Sequence, residues 1–148
     1  MSGKRTMRRI AIVFALASFL ATAGLLAGQA LSQTPAARPI RVGFVGPLSG
    51  AYAQNGRDIL NGMRLYLEQI GWQAGGRKIE LIVEDDEAIP ANSLTKARKL
   101  VERDGVDMMA GGLLSSTGYA LAPYIESSQI PMIYPVISAD DLTQRLRG

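Results

Sequence analysis

The chain contains no cysteine and no histidine among its 148 residues. Without cysteine it has no disulfide framework, no thiolate nucleophile and no cysteine to which a lipid anchor could be attached. Without histidine it lacks the commonest general base in catalysis and the commonest zinc ligand. These absences exclude several classes of enzyme and metalloprotein. We expect neither an enzymatic activity nor a bound metal or cofactor.

The chain also has no excess of basic residues once its first nine positions are set aside. Lys4, Arg5, Arg8 and Arg9 account for four of the 16 Lys and Arg residues, whereas all 13 Asp and Glu residues lie beyond position 33. In the remainder the two charges nearly cancel, and no basic stripe with interleaved aromatic residues is left to follow a phosphate backbone. We therefore expect no nucleic-acid partner.

The first residues have the pattern of a secretory signal peptide. Positive charges precede an apolar run over residues 10–28, and small residues follow, among them Ala30 and Ser32. This order predicts a signal peptide over residues 1–32, cleaved after Ala30 or Ser32, and a periplasmic location for the mature chain. The apolar run is nearly long enough to span a bilayer, so an uncleaved membrane anchor is the alternative.

Short apolar segments then alternate with amphipathic helical segments. Residues 33–39, with two prolines and two alanines, are predicted to be a linker to this folded part. Strands are predicted over residues 40–46, 78–85, 106–110 and 131–135, and helices over 57–71, over 90–101 and over 117–127. Strands that alternate with helices of this length predict the α/β class, with an open parallel sheet, helices on both faces and right-handed crossovers.

Hydroxyl-bearing residues follow two neighbouring strands of the predicted sheet. Ser115, Ser116 and Thr117 come after the third strand, and Ser138 comes after the fourth. In an open α/β sheet, ligands bind beyond the carboxyl ends of the strands, and a helix N-terminus with adjacent hydroxyls suits a carboxylate. Serine and threonine are also ordinary helix caps. From the spacing alone, a site for a small polar molecule and simple capping explain these residues about equally well.

Two other features could be mistaken for sites. The glycines at positions 43, 46 and 50 match neither the dinucleotide fingerprint nor the phosphate loop, so we interpret them as turn glycines. The acidic run over residues 84–87 could hold a hard cation, but successive residues of a strand point to opposite sides. A solvated strand end with a turn-capping aspartate is the preferred interpretation.

Three segments carry a family resemblance. They are IRVGFVGPLSGAYAQNGRDILNGMRL, EDDEAIPANSLTKARKLVERDGVDMMAGG and SSQIPMIYPVISADDLT. In this order and at these spacings they resemble the periplasmic binding proteins of ABC importers for branched-chain amino acids, and relatives that bind amides, urea or aromatic acids. The resemblance implies that residues 40–148 form part of the Rossmann-like N-terminal lobe of a type I periplasmic binding protein.

The resemblance also implies which residues bind the ligand. In the amino-acid-binding members, a serine after the third strand binds the ligand carboxylate, and the turn after the fourth strand supplies a carbonyl and a hydroxyl. On this chain these residues are Ser115, with Ser116 beside it, then Val136 through its carbonyl, and Ser138 through its side chain and N–H. Asn55 stands where an aromatic residue often lines the cleft, so a polar or aromatic acid is as plausible a ligand as leucine.

The function implied by the resemblance is that of the extracytoplasmic solute-binding component of an ABC transporter. Such a protein binds an amino acid or a similar small carboxylate or amide and delivers it to a permease in the inner membrane. A ligand-sensing domain of a receptor or regulator is the alternative, and a flavodoxin-like enzyme is less favoured because obvious catalytic groups are missing. Family members bind between two similar lobes, whereas the residues after position 32 amount to one incomplete lobe. We therefore expect a fragment of a longer gene, or a truncated pseudogene product, with weak binding by itself.

Overall fold

The computed structural model describes residues 37–145, apart from the side chain of Thr143, so the predicted signal peptide and the start of the predicted linker lie outside the described residues. The chain divides into two units, Met1–Ala36 and Ala37–Gly148, and every described element belongs to the second. These elements are β1 (Ile40–Gly46), α1 (Ala53–Gln69), β2 (Gln73–Ala74), β3 (Arg77–Asp85), α2 (Pro90–Arg98) with a π-helical turn (Lys99–Arg103), β4 (Met108–Gly111), α3 (Ser115–Ser128), β5 (Met132–Ile133) and α4 (Asp140–Gln144).

The five strands form one sheet in the order β2-β3-β1-β4-β5. Strands β3, β1, β4 and β5 are parallel, and Val42 of β1 lies between Leu81 of β3 and Met108 of β4. The predicted parallel sheet is therefore confirmed with one correction, because the two-residue strand β2 pairs antiparallel with β3. A strand of two exposed residues produces no periodic pattern in a sequence, so it could not be predicted.

The rule that crossovers between parallel strands are right-handed predicts helices on both faces of this sheet. The chain moves from β1 to β3 in one direction and then from β3 to β4 and β5 in the other. A constant handedness therefore puts α1 on one face and puts α2 and α3 together on the other. In agreement, α2 and α3 pack against each other. The predicted α/β class with both faces covered is confirmed.

The main core lies between β1 and the pair α2 and α3. A side chain placed on Gly43 would come within 3.2 Å of Leu100 and Val106, and Val45, two residues along the same face, is fully buried. Phe44 points to the opposite face, since side chains alternate along a strand, and it too is fully buried. Burial of each large apolar side chain contributes about 1.5–3 kcal/mol. The central cluster comprises Val45, Ala97, Leu100, Val106, Met109 and Leu121.

The helices begin close to the predicted positions, and the one large difference has a local cause. Helix α1 starts at Ala53 rather than at residue 57. Its first turn is polar, and it is built by backbone bonds from Ala53 N–H to the Gly50 carbonyl (3.3 Å) and from Gly56 N–H to the Tyr52 carbonyl (3.1 Å). Helix α2 begins at Pro90, as predicted. Within the described part of the chain, no helix is both long enough and apolar enough to cross a membrane.

The last strand is shorter than the predicted range 131–135. Proline has no N–H to donate to a sheet ladder, and Pro131 and Pro135 flank the two residues of β5. The Pro131 carbonyl accepts the N–H of Met109 (2.8 Å), so pairing with β4 begins at this point. The short helix α4 follows, which the sequence analysis did not predict.

Two residues of the predicted linker are bonded to the folded unit. Arg77 of β3 donates to the carbonyls of Arg38 (2.7 Å) and Pro39 (3.3 Å). The guanidinium of Arg38 also pairs with the carboxylate of Asp107, which lies just before β4. The folded unit therefore includes residues 38 and 39.

Candidate functional site

The carboxyl ends of β3, β1, β4 and β5 lie at one edge of the sheet, because these strands are parallel. Four loops leave the sheet there, and we call this surface the carboxyl edge. They are residues 86–89 after β3, 47–52 after β1, 112–114 after β4 and 134–139 after β5. The predicted ligand-binding residues all lie in these loops or in the first turns of the helices that follow.

Two glycines bring the end of β4 close to β1. A side chain on Gly111 (φ 126°) would lie 2.1 Å from the Val45 carbonyl oxygen, which only glycine avoids. The next residue, Gly112 (φ 74°), donates its N–H to the same carbonyl (2.7 Å). The backbone is thereby turned tightly into α3, and the loop after β4 is fixed beside the loop after β1.

Helix α3 begins without a capping side chain. The N-cap position is Leu114, in extended backbone conformation, and no side-chain cap bond is formed. Ser115 and Ser116 are the first two helical residues. Among residues 37–145, neither their N–H groups nor their hydroxyls have a hydrogen-bond partner. The capping alternative is thus not realised, and two N–H groups with two hydroxyls remain available at the positive end of the helix dipole.

Thr117 belongs to the structure of the turn rather than to the available surface. Its hydroxyl donates to the Leu114 carbonyl (2.7 Å), and its N–H donates to the same carbonyl (3.0 Å). The residue is only 1% exposed. Of the three hydroxyl residues in this turn, Ser115 is half-buried and Ser116 is exposed, so these two can meet a ligand from solution.

The turn after β5 packs directly onto the turn after β4. A side chain on Gly112 would lie 2.8 Å from the side chain of Ile137, and one on Gly118 would lie 2.9 Å from it. Ile137 therefore occupies the space that these two glycines leave. Val136 and Ser138 flank Ile137 in the chain, and both are exposed. The structure thus brings the turn that carries Ser138 together with the start of α3.

Asn55 also lies at the carboxyl edge, in the first turn of α1, which follows the central strand β1. It is exposed, and its side chain has no hydrogen-bond partner among the described residues. Its loop is close to the loop after β4, because a side chain on Gly46 would lie 3.9 Å from the Gly112 backbone nitrogen. Asn55 therefore lies at the same edge as Ser115 and Ser138, although it follows β1 rather than β4 or β5.

The acidic run at the end of β3 contains the predicted turn-capping aspartates, but the prediction that the run is solvated is wrong, because Asp86 is fully buried and the Glu84 side chain is only 12% exposed. Glu84 pairs with Lys96 (2.9 Å) and Lys99 (2.6 Å). Asp85 and Asp86 accept backbone N–H groups two residues ahead, at 2.9 Å each, and so close the turn. In the described part of the chain, no group of three or more acidic, histidine or cysteine residues is placed to hold a metal ion.

Hydrogen bonds decide the ionisation of Asp85. Partial burial alone would raise its pKa, but the Ser49 hydroxyl and the backbone N–H groups of Leu48, Glu87 and Ser49 donate to the carboxylate and hold the pKa below its usual value. The carboxylate is therefore charged at neutral pH. The sequence indicated a capping aspartate here, but it did not indicate that the same carboxylate also holds the loop after β1.

Two tyrosines at this edge were not singled out from the sequence. Tyr52 is 44% exposed in the loop after β1, three residues before Asn55. Tyr134 follows β5, and its ring would lie 3.4 Å from a side chain on Gly112. Both residues belong to loops whose positions depend on contacts between distant parts of the chain, which a sequence does not display.

Several known proteins have a similar fold and a similar sequence. A substrate-binding protein of an ABC transporter from Sphaerobacter thermophilus is 38% identical, with a TM-score of 0.73 over 75% of this chain and 30% of its own. A solute-binding protein from Rhodopseudomonas palustris BisB5, in complex with 3,4-dihydroxy benzoic acid, is 33% identical, with a TM-score of 0.69 over 72% of this chain and 30% of its own. The Leu/Ile/Val-binding protein of Escherichia coli K12 is 33% identical over 126 residues, which are 82% of this chain and 34% of that protein.

The fold is that of part of a type I periplasmic binding protein, as the resemblance implied. The chain belongs to the periplasmic binding protein family, whose model matches residues 39–146. This is a family of binding proteins rather than of enzymes. The chain spans about a third of the length of the relatives that it matches.

Proposed function

We propose that the carboxyl edge is one wall of the ligand site in an extracytoplasmic solute-binding protein, the substrate-binding component of an ABC transporter. The observation that carries this proposal is the start of α3. Two N–H groups and the hydroxyls of Ser115 and Ser116 are unpartnered there among the described residues. They adjoin the turn that holds Val136 and Ser138. Membership of the family supports the same conclusion.

The chemistry of this edge suits a small carboxylate. N–H and hydroxyl groups donate to carboxylate oxygens, and the positive end of the helix dipole favours an anion. Hydrogen bonds to a charged group each contribute about 1.5–3 kcal/mol. The Val136 carbonyl and the Ser138 hydroxyl can accept bonds from an ammonium group. An amino acid would therefore be held at both of its charged groups.

We propose as ligand an amino acid or a similar small carboxylate or amide, with an aromatic acid as the second candidate. The relatives include both kinds, a Leu/Ile/Val-binding protein and a solute-binding protein in complex with 3,4-dihydroxy benzoic acid. Asn55 and Tyr52 are exposed at the same edge. A polar amide and an aromatic ring can contact a polar or aromatic side group, so such a ligand is as suitable as an aliphatic amino acid.

The proposed partner is an ABC permease in the inner membrane, and the proposed location is the periplasm. Residues 1–32 would be the signal peptide, residues 33–39 the linker and residues 40–148 part of the N-terminal lobe. Intact-mass analysis of a periplasmic extract from a Gram-negative host tests this assignment. We expect a product that begins at Leu31 or Gln33, and a full-length species found only in membranes would contradict it.

The binding proposal is tested by titrating the purified, isotope-labelled chain with L-leucine and, separately, with 3,4-dihydroxybenzoate. One wall of a cleft should bind weakly, and a millimolar dissociation constant corresponds to about −4 kcal/mol. The probes should therefore be added up to high millimolar concentrations. We expect saturable shifts of the amide resonances of Ser115, Ser116 and Ser138. Shifts confined to the opposite edge of the sheet, or no saturable shift with either probe, would refute the proposed site.

A further inference from the structure

The carboxylate of Asp85 joins two loops of the carboxyl edge. Its Oδ1 atom accepts the N–H of Leu48, in the loop after β1 (2.8 Å), and the N–H of Glu87, in the loop after β3 (2.9 Å). Ser49 donates to the same carboxylate through both its hydroxyl and its N–H. One side chain at the end of β3 therefore fixes two segments that are almost 40 positions apart in the chain.

The loop after β3 needs such support because of its backbone conformation. Glu87 and Ala88 both have positive φ angles, 56° and 59°, in a region that residues other than glycine rarely adopt. Asp85 accepts the N–H of Glu87, and the buried Asp86 accepts the N–H of Ala88 (2.9 Å) and the hydroxyl of Ser93 (2.5 Å). The two aspartates together hold a turn that the backbone alone would not favour.

Hydrogen bonds also connect the loop after β1 to the start of α1. Leu48 is held through both of its backbone polar groups, since its N–H donates to Asp85 and its carbonyl accepts from the guanidinium of Arg57 (2.9 Å). Arg57 is in α1, two residues after Asn55. Gly50, in the same loop, lies near Glu87, because a side chain on Gly50 would begin 4.0 Å from the Glu87 carbonyl oxygen.

We propose that Asp85 is a positioning residue of the carboxyl edge, which joins the loops after β1 and β3 and thereby sets where the first turn of α1, with Asn55, stands relative to Ser115. The proposal rests on the proposed function, because Asn55 and Ser115 belong to the ligand site assigned there. Asp85 itself need not touch the ligand. Its contribution is preorganisation, since loops that are already fixed lose less conformational freedom on binding.

Asp107 is a matched control. It too is an aspartate next to a strand end, and it accepts a backbone N–H, that of Arg41 (2.8 Å), together with the guanidinium of Arg38. It lies at the start of β4, at the edge of the sheet opposite to the ligand site. Loss of the Asp107 carboxylate should disturb the fold without disturbing the carboxyl edge.

The test compares the whole chain with Asp85→Ala, Asp85→Asn and Asp107→Ala. Amide resonances and hydrogen exchange are measured without ligand, and apparent dissociation constants are then measured for L-leucine and for 3,4-dihydroxybenzoate. In Asp85→Ala we expect at least tenfold faster exchange at Leu48 and Glu87, shifted resonances at Asn55, and at least fivefold weaker binding of any probe that the wild type binds. Asp85→Asn keeps one acceptor oxygen and should be intermediate. Asp107→Ala should lower the melting temperature and leave Asn55 and the affinity unchanged.

Two results would overturn the proposal. One is an Asn55 resonance that does not move in Asp85→Ala, and the other is unchanged affinity in that variant for a probe that the wild type binds. If the wild type binds neither probe, the proposed ligand site fails, and the Asn55 resonance alone then decides whether Asp85 positions α1. Equal changes in Asp85→Ala and Asp107→Ala would assign Asp85 a general structural role and would also overturn the proposal.

Discussion

The Cα atom of Gly56 is so close to Pro47 that a methyl group added there would lie 1.7 Å from the Pro47 carbonyl oxygen. Gly56 is in the first turn of α1, and Pro47 is the first residue after β1. The helix therefore rests directly on the backbone of the loop that leaves the carboxyl edge. This contact gives a physical reason for glycine at the fourth position of α1.

We predict that Gly56→Ala destabilises the fold by about 3 kcal/mol, at the upper end of the usual cost of overpacking, because the obstructing atom is backbone and cannot rotate away. Gly62 provides the control in the same helix, since a side chain there would meet no atom within 4 Å. Gly62→Ala should stabilise the fold by about 0.5–1 kcal/mol, as alanine is the better helix former. Urea unfolding of both variants measures the difference. A Gly56→Ala variant as stable as the wild type would show that the contact is not tight.

Much of the fold could be predicted because its elements have strong local patterns. The range of β1 was predicted without error, since it is an uninterrupted run of strand-forming residues, and the start of α2 was predicted from Pro90. The first turn of α1 was missed because it is polar and is built by backbone bonds to the residues just before it. The strand β2 was missed because it has only two residues, which pair with β3. Neither feature produces an apolar periodicity in the sequence.

The same division applies to the candidate site. Ser115 and Ser138 lie at one edge because the strands that precede them are parallel, and the sequence predicts a parallel sheet. Thr117 differs from the two serines because its hydroxyl bonds within the turn. This difference could not be predicted, since serine and threonine are both common helix caps. Asp85 also accepts the N–H of Leu48, which joins the end of β3 to the loop after β1. A bond between such distant positions leaves no signal in the sequence.

We predict that Ser115→Ala weakens ligand binding by about 1–3 kcal/mol, the cost of removing a partner from a charged group. Its hydroxyl makes no cap bond, so the melting temperature without ligand should hardly change. Thr117→Val is the matched variant, because it removes a buried hydroxyl that bonds to Leu114. It should lower the stability by about 1 kcal/mol. Calorimetry for the affinity and thermal unfolding for the stability separate the two effects, and the reverse pattern would assign Ser115 a capping role.

We predict that Glu84 makes stability depend on acid pH. Burial acts to raise the pKa of its carboxyl, but the hydrogen bonds and charges of Lys99 and Lys96 outweigh burial and hold the pKa below the usual 4.5. A carboxyl whose pKa is lowered by folding stabilises the fold above the unfolded-state pKa, and this stabilisation is lost as the pH falls through the lower, folded-state value.

Glu84→Gln should therefore reduce the loss of stability on acidification below about pH 4.5. At neutral pH the same variant should be less stable by about 1 kcal/mol, since the two lysines remain partly exposed and can regain water. Urea unfolding at pH 7 and at a series of acid pH values measures both effects. An unchanged slope below pH 4.5 would show that the Glu84 ion pairs do not couple to folding.

We predict that Tyr134→Phe leaves the fold as stable as the wild type or makes it more stable by about 1 kcal/mol. The ring of Tyr134 packs against the central core cluster, and its hydroxyl is buried without a hydrogen-bond partner among the described residues. An unpaired buried hydroxyl costs about 1–3 kcal/mol, whereas phenylalanine keeps the ring and removes the unpaired group. Tyr124 is the control, because it also packs against the cluster but donates its hydroxyl to Glu102 (3.2 Å). Tyr124→Phe should therefore give no gain.

The pH dependence gives the Tyr134 prediction a second, independent measurement. Burial raises the pKa of Tyr134 to about 12, from an ordinary value of 10. Between these values the unfolded chain loses the phenolic proton while the folded chain keeps it, so the folded state becomes less stable as the pH rises above 10. Tyr134→Phe has no such proton, and its advantage over the wild type should grow from pH 9 to pH 11 in urea unfolding. A variant less stable than the wild type at pH 7, with no growing advantage at alkaline pH, would show that the hydroxyl has a partner in solution.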